Sequence, residues 1–166
     1  MALDFEFSEE QIMIQDSMKK CLEPFEGRRE ELVKMVLKDK IFPQEVWDAI
    51  CATGLMGCVI PEKYGGNDMG LLATTIGLET LANFGFGNAL FVLTTMDAAC
   101  ILRNGTEEMK QRYLPKMASG EMKFGFALTE PNAGSNAFRI QTLAKKDGDD
   151  YLLTGQKVFI TGADLA

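Results

Sequence analysis

The spacing of apolar residues changes once along this chain of 166 residues, near Glu121, and that change limits the folds open to it. Before that point, apolar side chains recur every three or four residues, which is typical of helices that pack one face against a core. After it, short apolar runs alternate with turn residues, as in strands and hairpins. The sequence therefore predicts a mainly α protein. Residues 1–120 form an all-α helical bundle, and residues 121–166 form the first strands of an incomplete antiparallel β domain.

Local signals place the ends of the first helices. Ser8-Glu9-Glu10-Gln11 is a capping box, so the first helix is expected to begin at about Ser8. Pro24 and Pro115 each lie within a helical pattern and are expected to break or kink it. Trp47 lies on an apolar helical face, and a place in the core is a better interpretation than a platform for a cofactor.

Two later segments are more apolar than the rest of the helical part. The pattern from Leu71 to Gly85 predicts a well-buried helix, and Leu90 to Leu102 predicts a central helix closed by Asn104-Gly105. Thr106 is expected to cap one more helix, because a threonine hydroxyl can accept from the free backbone N–H groups of the first turn.

The β part is predicted from three features. Phe124 to Leu128 is a short apolar run and is interpreted as a strand. Arg139 to Lys146 and Tyr151 to Thr154 flank Asp147-Gly148, which is a strong hairpin signal. Val158 to Thr161 is interpreted as a further strand, in which alternate side chains share a face. So few strands leave unpaired edges, and the domain therefore looks unfinished.

A ligand site is predicted where the first apolar run ends in a turn made of Pro131, Asn132, Gly134 and Ser135. Such a turn gathers backbone N–H groups that can bind an anion, and a glycine lets a phosphate or a flat ring approach closely. Thr129 would add a hydroxyl at the same rim. On local chemistry alone, an ordinary surface turn is an equally good interpretation.

The later segment from Gly155 to Gly162 offers matching groups. Phe159 and Thr161 are two apart and are expected to share a face, which would pair a ring for stacking with a hydroxyl for hydrogen bonding.

Composition excludes several classes of function. The net charge of −7 argues against a nucleic-acid-binding protein or a polybasic membrane surface. The chain has no histidine, and its four cysteines form no CxxC pair, so zinc sites and histidine-based catalysis have little support. Free buried thiols indicate a reducing compartment. Residues 1–7 lack the shape of a signal peptide, and a cytoplasmic protein is expected.

Two motifs together resemble the flavin-binding segments of the acyl-CoA dehydrogenase family. The first is Thr129-Glu130-Pro131-Asn132-Ala133-Gly134-Ser135, and the second is Gly155-Gln156-Lys157-Val158-Phe159-Ile160-Thr161. Their order and separation are also similar to those of the family. The resemblance extends to Leu3-Asp4-Phe5 and to the blocks at residues 42–47 and 54–66. It covers the family's N-terminal helical domain and the start of its middle β domain.

The resemblance implies a set of FAD contacts. Thr129 would hydrogen-bond the isoalloxazine ring, and Thr161 would hydrogen-bond near its reactive nitrogen. Ser135 would lie near the pyrophosphate and would also touch the acyl-CoA. The full set of residues implied to bind the cofactor is Phe126, Leu128, Thr129, Gly134, Ser135, Phe159, Ile160 and Thr161.

The resemblance also implies a reaction, oxidation of an acyl-CoA thioester to the 2,3-enoyl-CoA, with electrons passed to an electron-transfer flavoprotein. The family's catalytic glutamate lies in a C-terminal helical domain that this sequence does not contain, so no catalytic residue is assigned. Glu130 could in principle act as an acid or base, but support of the turn is the favoured role. The isolated chain is expected to be inactive and to bind FAD weakly. The intact protein is expected to be a homo-oligomer, as is usual for the family.

Two alternatives stay open at this stage. A relative on the same scaffold, such as an acyl-CoA oxidase or a nitroalkane oxidase, would carry the same motifs. A non-enzymatic helical interaction module would bind neither flavin nor CoA. The chain also departs from the family pattern at Asn136, where aspartate is frequent, and at Gly162, where asparagine is common. The sequence gives no indication of acyl chain length.

Overall fold

The computed structural model describes residues 6–165, and within them the chain is mainly helical, as the spacing of apolar residues predicts. Leu3-Asp4-Phe5, which contributed to the family resemblance, lies outside the described residues. The helices are α1 (Glu9–Glu26), α2 (Arg29–Leu37), α3 (Gln44–Ala52), α4 (Gly70–Asn83), α5 (Ala89–Asn104) and α6 (Glu107–Ala118). An antiparallel hairpin follows, made of β1 (Leu143–Asp147) and β2 (Asp150–Thr154).

Capping side chains stabilise the starts of α1 and α6. Ser8 Oγ accepts from the Gln11 backbone N–H at 3.3 Å, and Gln11 Oε1 accepts from the Ser8 backbone N–H at 3.0 Å. This reciprocal pair is the predicted capping box. Thr106 caps α6 as predicted, with Oγ1 accepting from Met109 N at 3.2 Å. Two of the expected helix starts are thus confirmed.

Of the break or kink expected at each proline, the break is absent, because neither helix ends there. α1 continues past Pro24 to Glu26, and α6 continues past Pro115 to Ala118. Each proline is near the C-terminal end of its helix, where the chain has only one further turn to complete. The buried neighbours Phe25 and Met117 keep these last turns packed against the core.

Trp47 is at the centre of the larger of two apolar clusters. Its ring stacks on Phe91 with centroids 4.5 Å apart, and its indole N–H donates to the Gly120 carbonyl at 3.0 Å. The side chain is almost fully buried, so the predicted place in the core is confirmed. Through Trp47, helix α3 is joined both to α5 and to the segment that leads into the β part.

The second cluster joins the loop after α3 to helices α5 and α6. Ile60, Tyr64, Leu114 and Met117 are buried in it. Tyr64 also donates its hydroxyl to the Glu107 carboxylate at 3.0 Å, which ties the short helical turn Glu62–Tyr64 to the start of α6.

Helix α4 is less buried at its start than its sequence predicts. Leu71 is 68% exposed and Leu72 is 57% exposed, whereas Ile76 and Leu81 are buried. The apolar residues of α4 run almost all the way round the helix, and one face only can pack against α1. The expectation of a well-buried helix therefore holds for the second half of α4 and fails for its first turn.

The hairpin is confirmed, although its first strand begins at Leu143 and not at Arg139, and the two flanking strands are not confirmed. Leu143 pairs with Thr154 and Asp147 pairs with Asp150, so the turn falls at residues 148–149. No strand forms at Phe124 to Leu128 or at Val158 to Thr161. Strand formation needs a neighbour to supply hydrogen bonds, and in the described residues neither segment has one along its length.

The four cysteines form no disulfide. Cys51 and Cys58 are buried, Cys21 is partly buried, and Cys100 is exposed, so the expectation of buried thiols is wrong for Cys100. Burial raises the pKa of Cys51 to about 12, which keeps it a protonated, unreactive thiol. None of the helices described between residues 6 and 165 is long and apolar enough to cross a membrane.

Candidate flavin site

The first motif forms a tight turn whose backbone is closed on itself. Glu130 and Ala133 exchange both hydrogen bonds, N to O at 2.9 and 3.1 Å, around Pro131 and Asn132. Proline suits the second position of a β-turn because its φ is already fixed near the required value. The turn is the local structure expected from Pro-Asn-Ala-Gly, and it sets the direction in which the following residues leave.

Gly134 and Ser135 follow this turn on the surface. A Cβ built at Gly134 would meet no heavy atom within 4 Å, so the backbone there is open to close approach from outside. Ser135 and Asn136 are exposed, and Asn136 Oδ1 accepts from Phe138 N at 3.2 Å to begin the turn Ala137–Arg139. This arrangement fits the predicted approach of a phosphate or flat ring.

The structure brings the two motifs together. The Val158 backbone N–H donates to the Thr129 carbonyl oxygen at 3.0 Å. Lys157 Nζ donates to the Leu128 carbonyl oxygen at 2.9 Å. Residues 29 apart in the sequence, and on opposite sides of the hairpin, therefore meet at one point.

Glu130 supports the turn, which is the role favoured from the sequence over acid–base catalysis. Its carboxylate accepts from the backbone N–H groups of Gln141 at 2.7 Å and Thr142 at 2.9 Å, and from Lys157 Nζ at 3.0 Å. The Thr142 side chain, the Gln141 amide and then the ammonium group lower the pKa of this carboxyl to about 2. A buried, fully engaged carboxylate with so low a pKa is not a general base at neutral pH.

Apolar side chains of the predicted site face outwards. Phe126 is 40% exposed, Leu128 is 39% exposed and Phe159 is 92% exposed. Exposed apolar groups that lie next to one another are typical of a surface that binds a ligand or a partner. Thr129 and Ile160 are partly buried beside them.

Phe159 and Thr161 are not on a common strand face. Phe159 has φ of +58°, an uncommon conformation for an aromatic residue, and Thr161 begins a turn that runs to Leu165. Gly162 lies against Leu90 of α5, where an added Cβ would come within 2.8 Å of a methyl carbon. The shared face inferred from a period of two is therefore wrong, and contact with α5 directs this segment instead.

Lys157 is a residue of the site for which the sequence predicted no role. It is 24% exposed at its side chain, and it binds both Leu128 and Glu130. The signal was present, since Lys157 is one of the fixed positions of the second motif. Its partner could not be named without the fold. Among residues 6–165, no cluster of acidic or cysteine side chains could hold a metal ion.

Two family models match this chain. The family model described as acyl-CoA dehydrogenase, N-terminal domain, matches residues 8–121, and the model for the middle domain matches residues 125–166. An acyl-CoA dehydrogenase of Bacillus subtilis strain 168 is 34% identical over 163 residues, which is 96% of this chain and 42% of the relative.

Solved structures share the fold at similar identity. The chain matches a glutaryl-CoA dehydrogenase in complex with glutaryl-CoA with a TM-score of 0.85 and 32% identity, over 99% of this chain and 42% of that one. It matches a structure described as an electron transferring flavoprotein of Acidaminococcus fermentans with a TM-score of 0.87 and 35% identity, over 99% of this chain and 43% of that one.

The chain thus spans less than half the length of these relatives. The family models nevertheless match almost every described residue, and both motifs of the candidate site fall within the matched middle domain. The chain belongs to the acyl-CoA dehydrogenase family.

Proposed function

We propose that the intact protein containing this chain is an FAD-dependent acyl-CoA dehydrogenase that oxidises an acyl-CoA thioester to the 2,3-enoyl-CoA. One observation carries the proposal: the two motifs meet at the 3.0 Å hydrogen bond between Val158 N and Thr129 O, within the fold of the family. The exposed apolar groups and the open backbone at Gly134 suit a flat ring with a diphosphate.

The residues of this chain would bind and orient the cofactor. Thr129 and Thr161 offer hydroxyls for the edge of the ring, and Ser135 offers one for a phosphate or the acyl-CoA. When bound, FAD supplies the acceptor for the hydride that leaves the β-carbon. Phe126 and Phe159 would cover apolar parts of the ring and exclude water from it.

The proton from the α-carbon requires a base, and the described residues offer none at the site. Glu130 is excluded by its hydrogen bonds and by its low pKa. We therefore propose that the base comes from the C-terminal helical domain of the intact protein. Acyl-CoA as substrate, an electron-transfer flavoprotein as acceptor, a homo-oligomeric state, a role in β-oxidation and a cytoplasmic location are parts of the same proposal.

The test compares the absorbance of this chain with that of the product of the full reading frame that contains it. The longer protein is expected to be yellow, and an acyl-CoA is expected to bleach it in the absence of oxygen. This chain alone is expected to take up little FAD and to catalyse no oxidation. A colourless longer protein that takes up no added FAD would contradict the proposal. A yellow protein that acyl-CoA reduces and that oxygen rapidly reoxidises would favour an oxidase.

A further inference from the structure

Glu130 and Lys157 supply most of the hydrogen bonds that join the two motifs. In the described part of the chain, three such bonds link residues 124–130 with residues 155–162, and Lys157 Nζ donates two of them. The third is the backbone bond from Val158 to Thr129. No strand ladder joins the segments, so a side-chain ion pair takes the place that ladder hydrogen bonds have in a sheet.

The carboxylate of this ion pair is buried, the ammonium group is partly exposed, and both are hydrogen-bonded. The Glu130 side chain is 5% exposed and that of Lys157 is 24% exposed. Apart from Lys157, the carboxylate holds the N–H groups of Gln141 and Thr142, which lead into the hairpin. The pair therefore fixes three stretches of backbone relative to one another: the end of the first motif, the start of the hairpin and the start of the second motif.

Both charged residues are neighbours of groups in the proposed site. Glu130 follows Thr129 directly, and Lys157 binds the carbonyl of Leu128 and precedes Phe159 by two residues. Loss of either charge would remove its partner's counter-ion, although Glu130 would keep its two backbone donors and Lys157 its bond to Leu128. The partner would then move towards water and take the adjacent motif with it.

On the basis of the proposed function, we propose that Glu130 and Lys157 are positioning residues that hold the two flavin-binding motifs in register. Neither side chain needs to touch the cofactor. Their role is to keep the Thr129 and Thr161 hydroxyls at a separation that one flavin can meet.

The experiment uses the intact protein and the variants Glu130→Gln, Lys157→Met and the double variant. The FAD dissociation constant and the absorbance spectrum of the bound flavin are measured well below the unfolding temperature of each variant. Each single variant is expected to weaken FAD binding by about tenfold or more, which is the scale of one lost charge-assisted hydrogen bond. The double variant is expected to bind FAD about as well as the single variant with the lower affinity, because the two residues act as one unit.

Two further variants distinguish a positioning role from the effect of changing any charged residue. Lys157→Arg keeps a positive charge with several donors and is expected to retain FAD affinity to within about threefold. Glu121→Gln makes the same chemical change in the exposed pair with Lys116, whose N–O distance is 3.1 Å, and is expected to leave FAD binding unchanged. Should Glu130→Gln fail to fold, Lys157→Met carries the test, because Glu130 then keeps its two backbone donors.

The outcomes are distinct. Variants that unfold at a lower temperature, yet bind FAD with wild-type affinity and spectrum, would overturn the inference and leave the proposed function standing. A wild-type intact protein that binds no FAD would overturn the proposed function and this inference together. Weakened binding that Lys157→Arg restores supports both.

Discussion

The low pKa of Glu130 predicts that the protein loses stability as the pH falls into the acid range. The pKa is about 2 in the folded protein, against an ordinary value of about 4.3 for an unfolded chain. Its hydrogen bonds therefore stabilise the fold fully above about pH 4.5 and progressively less as the pH falls towards 2. The gap in unfolding midpoint between wild type and Glu130→Gln is expected to be constant from pH 5 to 7 and to close in acid.

Circular dichroism melts at intervals of pH would measure this gap. The exposed variant Glu121→Gln is the control, and its midpoint is expected to follow that of the wild type. A Glu130→Gln gap that persisted undiminished at about pH 2 would show that the ionised carboxylate is not what stabilises the turn.

Two glycines differ in what surrounds them, and their alanine variants should have effects of opposite sign. A Cβ at Gly66 would collide with the Ile60 carbonyl, whereas a Cβ at Gly27 would meet nothing within 4 Å. Gly66→Ala is expected to destabilise by about 1–3 kcal/mol, the range for forcing an extra methyl group into packed structure. Gly27 has a helical φ of −68°, so alanine there should stabilise by about 0.4–1 kcal/mol. Urea unfolding measures both, and equal effects would refute the packing argument.

At the scale of the elements, the sequence predicts the helices better than the β segments because their signals differ in range. The capping box at Ser8 and the cap at Thr106 act within four residues, and both were predictable. The strand predicted at Phe124 to Leu128 depends on a partner elsewhere in the chain, and the described residues supply none. The same applies to the site. The motifs identify Thr129 and the second segment from the sequence alone. The hydrogen bonds of Lys157 can be assigned only from the three-dimensional structure.

Pro24 offers a direct test of how α1 continues past a proline. It is exposed and lies in the last turn of the helix, where its missing N–H leaves one backbone carbonyl without a partner. Pro24→Ala is expected to restore that bond and raise the free energy of unfolding by about 2 kcal/mol. Removing the proline relieves a cost to the helix of about 3 kcal/mol, but it also makes the unfolded chain more flexible, which costs about 1 kcal/mol. Thermal unfolding measures the change. A destabilised variant would mean that the proline is needed to shape the end of the helix.

At the scale of the whole molecule, the hairpin exposes apolar residues on both of its faces. Leu143 and Leu152 share one face, and Tyr151 and Leu153 share the other, as the cross-strand register requires. All four are exposed. Exposed apolar strands favour association between chains, so the 166-residue chain is expected to self-associate as its concentration rises.

Leu153→Lys is expected to reduce that association, because a charge on one strand face opposes edge-to-edge pairing. Sedimentation velocity at several concentrations measures it. Met109→Lys, on the mostly polar helix α6, is the matched control and is expected to sediment like the wild type. If Leu153→Lys associates as strongly as the wild type, the contact between chains lies elsewhere.

The hydrogen bond from Trp47 to Gly120 also has a consequence for the order of events during synthesis. The two residues are 73 apart in sequence. A ribosome that adds about 5–20 residues per second therefore needs about 4–15 s after making Trp47 before its partner exists at all. During that interval the indole can stack on Phe91 as soon as α5 has emerged, but its N–H must bond to water or to another group. The larger core thus closes only when the chain has already begun the segment that leads to the flavin motifs.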